Sequence, residues 1–154
     1  MARDKRLGII VGHGTLDTAY PPLILAVSAA AAEMEAAAFF TFYGMEIIKK
    51  GNADKLQVTP VGNPAIPVPG IVGILPGMTS LVTGAMNRRM GSANAVKISE
   101  LLDMAIMNGV RLIGCQMTMD AMGVEREDLL DEVEIGGAAV FLNFVREDAI
   151  TLSF

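Results

Sequence analysis

Short apolar runs alternate along the chain with longer segments in which apolar residues recur at helical spacing. The runs at 7–11, 38–43 and 110–115 are largely apolar and predict strands that are covered on both faces of a sheet. Residues 149–154 alternate in polarity and predict a terminal strand. Four strands are therefore predicted, spread over the whole length of the chain.

Helices are predicted between these strands. Pro21 and Pro22 suit a helix start, where the missing N–H group costs nothing, and an alanine-rich helix is predicted over 23–38. Apolar spacing and composition predict further helical segments at 45–50, 77–90, 98–105, 118–122, 125–131 and 138–146. Strands that alternate with helices indicate an α/β fold with a parallel or mostly parallel sheet and helices on both faces.

Nothing in the pattern divides the chain. Its 154 residues are typical of one ordinary domain with room for a sizeable core. We find no internal repeat and no linker, and we expect residues 1–154 to form a single domain.

One long stretch, 56–87, has no charged side chain and prompts the question of a membrane span. Five of the seven prolines interrupt it, so no part of it offers about 20 uninterrupted apolar, helix-forming residues. We therefore expect no membrane insertion. We interpret 58–76 as a proline-containing loop that serves as a flap or as an oligomer contact.

The overall composition is apolar and acidic. Hydrophobic residues make up 52% and charged residues 19%, which indicates a large core and apolar surface buried between subunits of a homo-oligomer. The net charge is −5, and the twelve Lys and Arg residues form no run longer than a pair. Nucleic-acid binding is therefore not expected.

The chain has one cysteine and one histidine. This count excludes an intrachain disulfide and a CxxC redox pair, and it argues against a structural zinc site. No metal and no cofactor are expected. The charged N-terminus precedes a short apolar run that Gly12-His13-Gly14 interrupts, which indicates a first strand rather than a signal peptide and hence a cytoplasmic protein.

Cys115 is the main candidate for chemistry. It ends the predicted strand 110–115 and precedes a small polar segment able to begin a helix. Ligands of such sheets bind outside the carboxyl ends of the strands, and free N–H groups at a helix start favour the reactive thiolate. We expect the backbone N–H groups of Gln116 and Met117 to hold the sulfur, and the Gln116 side chain is either a further donor or an exposed residue without a role. The alternative is a buried, inert cysteine.

Other candidates are expected at the same edge of the sheet. His13 follows the first strand and is either a proton donor or partner for the thiolate or an exposed turn residue. Gly12 and Gly14 would let backbone N–H groups approach an anion. Tyr43 ends the second strand and lines the pocket or packs in the core. Arg88 follows the long loop and either neutralises a bound anion or ends a solvated helix.

Four segments occur in a fixed order that spans nearly the whole chain. They read FFTFYGM at 39–45, LPGM at 75–78, MNRRMG at 86–91 and GCQMTMDAMG at 114–123. With this ordered set the chain resembles the DsrE/DsrF/TusD-like family, and within it the branch labelled peroxiredoxin-like. Peroxide reduction would need a second, resolving thiol, and this chain has none.

The resemblance implies a flavodoxin-like three-layer sandwich that assembles into homo-oligomers. It also implies that a cysteine at the position of Cys115 carries sulfane sulfur, as a persulfide or a thiosulfonate. The implied partners are small TusA-like or rhodanese-like proteins that exchange this sulfur.

Three functions stay open at this point. A sulfur carrier needs only a nucleophilic and releasable thiol, so the sequence leaves open whether the chain is a sulfurtransferase with catalytic turnover. The second is a non-catalytic oligomeric scaffold or ligand-binding protein in which Cys115 is inert. The third is a thiol redox sensor, which oxidation converts to a sulfenic acid or to a disulfide between subunits.

Overall fold

A computed structural model describes residues 5–59 and 74–154 of the protein. Within these ranges one sheet contains the strands β1 (Arg6–Val11), β2 (Glu35–Phe40), β3 (Arg111–Cys115), β4 (Glu134–Gly136) and β5 (Ala149–Ser153). Their spatial order is β4-β3-β2-β1-β5, and every neighbouring pair is parallel. The predicted α/β class with a parallel sheet is confirmed, and the order differs from the 2-1-3-4-5 order of flavodoxin itself.

Helices cover both faces of this sheet. They are α1 (Leu16–Ala31), α2 (Met78–Ser92), α3 (Ile98–Met107), α4 (Gln116–Met122) and α5 (Ala138–Phe144). Short 3₁₀ turns occupy Phe42–Ile48, Ala53–Lys55 and Arg126–Asp128. The helical spacing predicted for 98–105 is confirmed, since its apolar positions are the buried face of α3.

The core has two parts, one on each face of the sheet. The larger part lies under α1, α2 and α3 and takes inward side chains of the strands such as Ile9 and Leu112. The smaller part lies under α5, where the rings of Phe39 and Phe141 stack with centroids 5.4 Å apart. Cys115 belongs to this smaller cluster, on the α5 face. Burial of one aromatic side chain there stabilises the fold by roughly 1.5–3 kcal/mol.

The prediction for the first helix was wrong in position. α1 runs over Leu16–Ala31 with both prolines inside it, rather than starting at them. Thr15 fixes the earlier start, because its N–H group donates to the Thr18 hydroxyl at 3.1 Å. The helix face that carries the buried Leu16 and Leu23 continues across the two prolines. Burial of this face therefore stabilises α1 by more than the loss of the backbone hydrogen bonds that the prolines cannot donate.

The acidic helix predicted over 125–131 was also wrong. The structure has a 3₁₀ turn at Arg126–Asp128 and then the short edge strand β4, which the sequence did not predict. Val124, Leu129 and Val133 are buried at intervals that fit no regular period, because an irregular segment packs them against the larger core. β4 itself was not predicted because its three residues are too few to show the alternation of polar and apolar positions that marks a strand.

Most of the predicted loop at 58–76 lies outside the described residues. Its first residue, Val58, is buried, and its N–H group donates to the Thr83 hydroxyl of α2 at 3.0 Å. None of the helices in 5–59 and 74–154 combines the length and apolar character that crossing a bilayer requires.

Candidate functional site

Cys115 lies where β3 becomes α4. It is the last residue of β3 and the N-cap residue of α4, with extended backbone angles, φ −74° and ψ 114°. The register pairs Phe40 of β2 with Gly114 of β3, so the next residues, Thr41 and Cys115, lie side by side at the carboxyl ends of the two strands. The predicted placement of the thiol at a strand-to-helix junction is confirmed.

Two threonine side chains meet beside the cysteine. The hydroxyl oxygens of Thr41 and Thr118 are 3.0 Å apart. Thr118 also accepts a hydrogen bond from the Phe42 N–H group, with an N–O distance of 3.1 Å. Thr118 is 1% exposed, so this polar group is buried together with its partners. The network ties the end of β2 to the first turn of α4.

Phe42 adopts an unusual backbone conformation at this point. Its φ angle is +46°, in the left-handed region that residues other than glycine rarely adopt. The turn directs its N–H group to Thr118, while the residue as a whole is 51% exposed. Such strain persists only where the surrounding structure fixes it, and it concentrates at functional sites.

The Cys115 thiol is buried but has several hydrogen-bond donors. Cys115 is 5% exposed. This burial is the largest single influence on the thiol pKa, and it raises that pKa. Hydrogen bonding with Thr118, Thr41 and the Met117 N–H group outweighs burial, and the net pKa lies below that of an ordinary thiol. Because the two hydroxyls are hydrogen-bonded to each other, only one of them donates to the sulfur at a time. The thiolate is therefore favoured at a lower pH than in a free cysteine.

Two glycines bring the loops after β1 and β2 together. A Cβ atom on Gly14 would overlap the carbonyl oxygen of Tyr43, and one on Gly44 would overlap the carbonyl oxygen of Val11. Only glycine lets these backbones pass so closely. The contact fixes the segment that carries Thr41 and Phe42.

In the first loop, one of the expected anion donors is already used within the sheet. The Gly12 N–H group donates to the Phe154 carbonyl at 2.8 Å and so extends the β1–β5 pairing. His13 is exposed at the end of β1, and β2 lies between β1 and β3. Two strand spacings, about 10 Å, therefore separate β1, which His13 follows, from β3, which ends at Cys115. No hydrogen bond or ion pair of the described residues joins the two side chains.

The other predicted residues are distributed differently. The Gln116 side-chain amide donates to Asp120 Oδ1 at 2.9 Å, and the groups that lower the thiol pKa belong to Thr118, Thr41 and Met117 rather than to Gln116. The Met117 N–H group is among the donors that lower the thiol pKa, and the residue is 66% exposed. Tyr43 is 67% exposed, so it is not a core residue. Arg88 is exposed on α2, which packs on the opposite face of the sheet from Cys115.

Sequence reasoning missed Thr41, Thr118 and the Phe42 turn. The spacing of Cys115 and Thr118, three residues apart across a helix start, is the N-cap to N3 spacing and is a usable signal. Nothing in the sequence pairs Thr41 with Cys115, because that neighbourhood depends on the register of β2 against β3. Within the ranges described, no three His, Cys, Asp or Glu side chains are grouped to hold a metal ion.

Sequence comparison assigns this α/β protein with a single thiol at a strand end to a known family. The model of the DsrE/DsrF/DrsH-like family matches residues 3–153, and the chain belongs to this family. It is 42% identical over 156 residues to a protein of Allochromatium vinosum named sulfur carrier protein DsrE2, covering 96% of this chain and 97% of that one. It is 30% identical to the uncharacterized protein YrkE of Bacillus subtilis, covering 96% of each.

Two solved structures share the fold. The protein of unknown function MTH1491 from Methanobacterium thermoautotrophicum superposes with a TM-score of 0.52 and 14% identity, over 98% of this chain and 100% of that one. The ychN protein of E. coli gives a TM-score of 0.53 and 16% identity, over 97% and 99%. At these identities the likeness concerns the architecture alone.

Proposed function

We propose that the protein is a sulfur carrier that holds sulfane sulfur on Cys115 and passes it to a partner protein. The observation that carries the proposal is one thiol, at the carboxyl end of β3, beside the hydrogen-bonded pair of Thr41 and Thr118 hydroxyls and the backbone N–H groups of Met117 and Thr118. Thiolate is the nucleophilic form, so this arrangement favours attack on a sulfur atom. The name of the DsrE2 relative supports the same function.

The chemistry needs no oxidant or reductant. The Cys115 thiolate attacks the outer sulfur of a donor persulfide, a new S–S bond forms, the donor S–S bond breaks, and the donor leaves as a thiolate. Attack on the outer sulfur of thiosulfate gives the same Cys115 persulfide and releases sulfite. An acceptor thiolate then attacks the outer sulfur, and Cys115 leaves as a thiolate. Attack of the thiolate on an inner sulfur of tetrathionate forms a new S–S bond, breaks the central S–S bond and releases thiosulfate. The group then left on Cys115 ends in a sulfonate and is the second proposed form of the cargo, a thiosulfonate.

The proposed partner is a small TusA-like or rhodanese-like protein that offers a thiolate to Cys115. Around the buried sulfur, the same edge of the sheet exposes Phe42, Tyr43 and Met117, which are 51%, 67% and 66% accessible. Exposed aromatic and methionine side chains favour contact with a protein surface rather than with water alone.

We also propose that the protein is a homo-oligomer and that it works in the reducing cytoplasm. Between Pro21 and Ala32 the first helix and its C-cap residue have no charged side chain and one polar one, Ser28. Ile24 and Leu25 of this segment are 47% and 37% exposed. This outer face of α1 supports a contact between subunits, because contiguous exposed apolar surface marks an interaction site.

Mass spectrometry of the intact protein tests the carrier function. Reduced protein is incubated with thiosulfate, tetrathionate or a persulfide donor. We expect an adduct that is lost on reduction and on addition of an acceptor thiol, and no adduct on Cys115→Ser, which removes the only thiol. Modification by peroxide with none by sulfur donors would instead indicate a redox sensor. A native thiol that neither forms adducts nor reacts with alkylating agents would indicate a scaffold.

A further inference from the structure

The strand β5 is an edge of the sheet without the usual protection against pairing. It pairs with β1 on one side, and its other side pairs with no strand in the described parts of the chain. Natural edge strands are protected by charge, proline, a bulge or short length. The opposite edge, β4, has three residues and carries Glu134. β5 has five residues with neither charge nor proline, and its register with β1 is continuous.

The hydrogen bonds of β5 show which of its backbone groups face outward. The N–H group of Phe154 donates to Ile10, and its carbonyl accepts from Gly12, each at 2.8 Å, so both groups face β1. The direction of these groups alternates along a strand, so those of Ile150 and Leu152 also face β1. The residues whose N–H and C=O groups face away from β1 are Ala149, Thr151 and Ser153.

These outward groups are self-complementary. Opposite residues of an antiparallel pair exchange both hydrogen bonds when the groups of each face the other strand. With a two-fold axis at Thr151, Ala149 of each copy of β5 lies opposite Ser153 of the other, and every outward group has a partner. An axis at Ile150 or at Leu152 leaves one outward residue of each copy unpaired.

The side chains of β5 agree with the same pairing. Ile150 is a large apolar residue and is 51% exposed. In the pair centred on Thr151 it lies opposite Leu152 of the second copy, with Cα atoms about 4.5 Å apart and side chains in contact. The charged residues 146–148 directly precede β5, and antiparallel pairing places those of the two copies at opposite ends.

We propose that two copies of the protein join their sheets through β5, antiparallel and centred on Thr151. The inference rests on the homo-oligomer of the proposed function and names a second contact in it. Two paired five-residue strands cover less than the roughly 1,200–2,000 Å² of a stable interface, so the pair forms within the assembly that the outer face of α1 holds together. The axis places the two Cys115 sites at opposite ends of the joined sheet, where each can meet its own partner protein.

Disulfide crosslinking tests the register of the strand pair. Ile150→Cys and Leu152→Cys are introduced separately into the Cys115→Ser chain, which has no other thiol, and the two variants are co-expressed. Opposite Cα atoms, about 4.5 Å apart, allow a disulfide, whereas two copies of the same variant place them about 7–8 Å apart, beyond its reach. Random pairing joins unlike variants in about half of the pairs, so about half of the chains are expected to crosslink on oxidation. Each variant alone is the matched control and is expected to stay uncrosslinked.

Thr151→Pro, added to both cysteine variants, tests the hydrogen bonds between the copies. The Thr151 N–H group faces away from β1, so proline removes a donor from the contact between copies and none from the β1–β5 ladder. Loss of both hydrogen bonds that Thr151 exchanges with its counterpart is expected to slow crosslinking about tenfold. Thr151→Val keeps the N–H group and is expected to crosslink at the parent rate. If Thr151→Pro does not fold by circular dichroism, Thr151→Lys replaces it, because like charges then meet at the axis.

Crosslinking of the mixture no faster than that of either variant alone would overturn the inference. So would a folded Thr151→Pro chain that crosslinks at the parent rate. An oligomeric wild type with either result keeps the proposed homo-oligomer and rejects the strand pair alone, whereas a wild type with the mass of one chain rejects both. Sulfur adducts on Cys115 are measured separately, so none of these results bears on the carrier function.

Discussion

Single residues set the spacing of the two loops that follow β1 and β2. Gly14 and Gly44 form a reciprocal pair, in which each loop presents a carbonyl oxygen where the other would carry a side chain. The obstacle at each position is backbone, which cannot rotate away as the end of a flexible side chain can. The role of Gly14 is therefore steric, and it positions the segment that carries Thr41.

Gly14→Ala is expected to lower the free energy of unfolding by about 3 kcal/mol, because the new methyl group overlaps the Tyr43 carbonyl and one loop must move. Urea unfolding measures the change. Gly12→Ala is the control, since a Cβ atom there would lie 3.6 Å from the Phe154 oxygen, an ordinary contact. Equal stability of the two variants would show that the loops separate at little cost.

At the scale of elements, three helices end in the same way. In α1, α2 and α3, a residue with positive φ follows the C-cap, and the next N–H group bonds to a carbonyl five residues back. Gly109 fills this position after α3 and Asn94 after α2. After α1 the position is filled by Glu33, with φ +61°. Its side chain is the least suited of the three to the left-handed conformation.

Glu33→Gly is expected to raise the free energy of unfolding by roughly 0.5–1 kcal/mol, because relief of left-handed strain exceeds the added freedom of glycine in the unfolded chain. Thermal or urea unfolding measures it. Glu33→Ala removes the same carboxylate but keeps a Cβ atom, and it is expected to give no gain. A gain of the same size in Glu33→Ala would trace the effect to charge.

Local pattern predicted most elements, and tertiary contacts decided the exceptions. The high helix propensity of Ala36, Ala37 and Ala38 predicts the end of the first helix, yet these residues form the centre of β2 and are 4% exposed or less. Their small side chains suit a strand pressed between two layers, and propensity yields to that burial. The positions of α2, α3, β3 and α5 followed from sequence because their apolar periodicity is long or bounded by glycine.

The candidate site was predictable only where it depends on one segment. Cys115, its junction with α4 and the Met117 donor follow from residues adjacent in sequence. Thr41 is the residue that follows β2. A shift of β2 by one residue against β3 would turn the Thr41 side chain to the other face of the sheet. The distance of His13 likewise depends on strand order, which periodicity does not encode.

For the whole molecule, the main observation is that α1 carries more apolar side chains than the described part of the chain buries. The buried side of α1 carries Leu16 and Leu23, and its outer side carries Ile24 and Leu25, so the helix is apolar nearly all round. A helix of this kind is normally covered on both sides. Within the described chain the outer side faces solvent, which favours coverage by another subunit.

Ile24→Glu combined with Leu25→Glu is expected to dissociate the proposed oligomer, because burial of two carboxylates in an apolar contact is unfavourable. Light scattering on eluting protein measures the mass, and circular dichroism checks the fold. Met107→Glu is the control, since Met107 is 85% exposed at the end of α3 and its charge should leave the mass unchanged. A wild-type protein with the mass of one chain, or an oligomer indifferent to the α1 charges, would place any subunit contact elsewhere. Sulfur loading of the dissociated variant would then report whether Cys115 functions within a single chain.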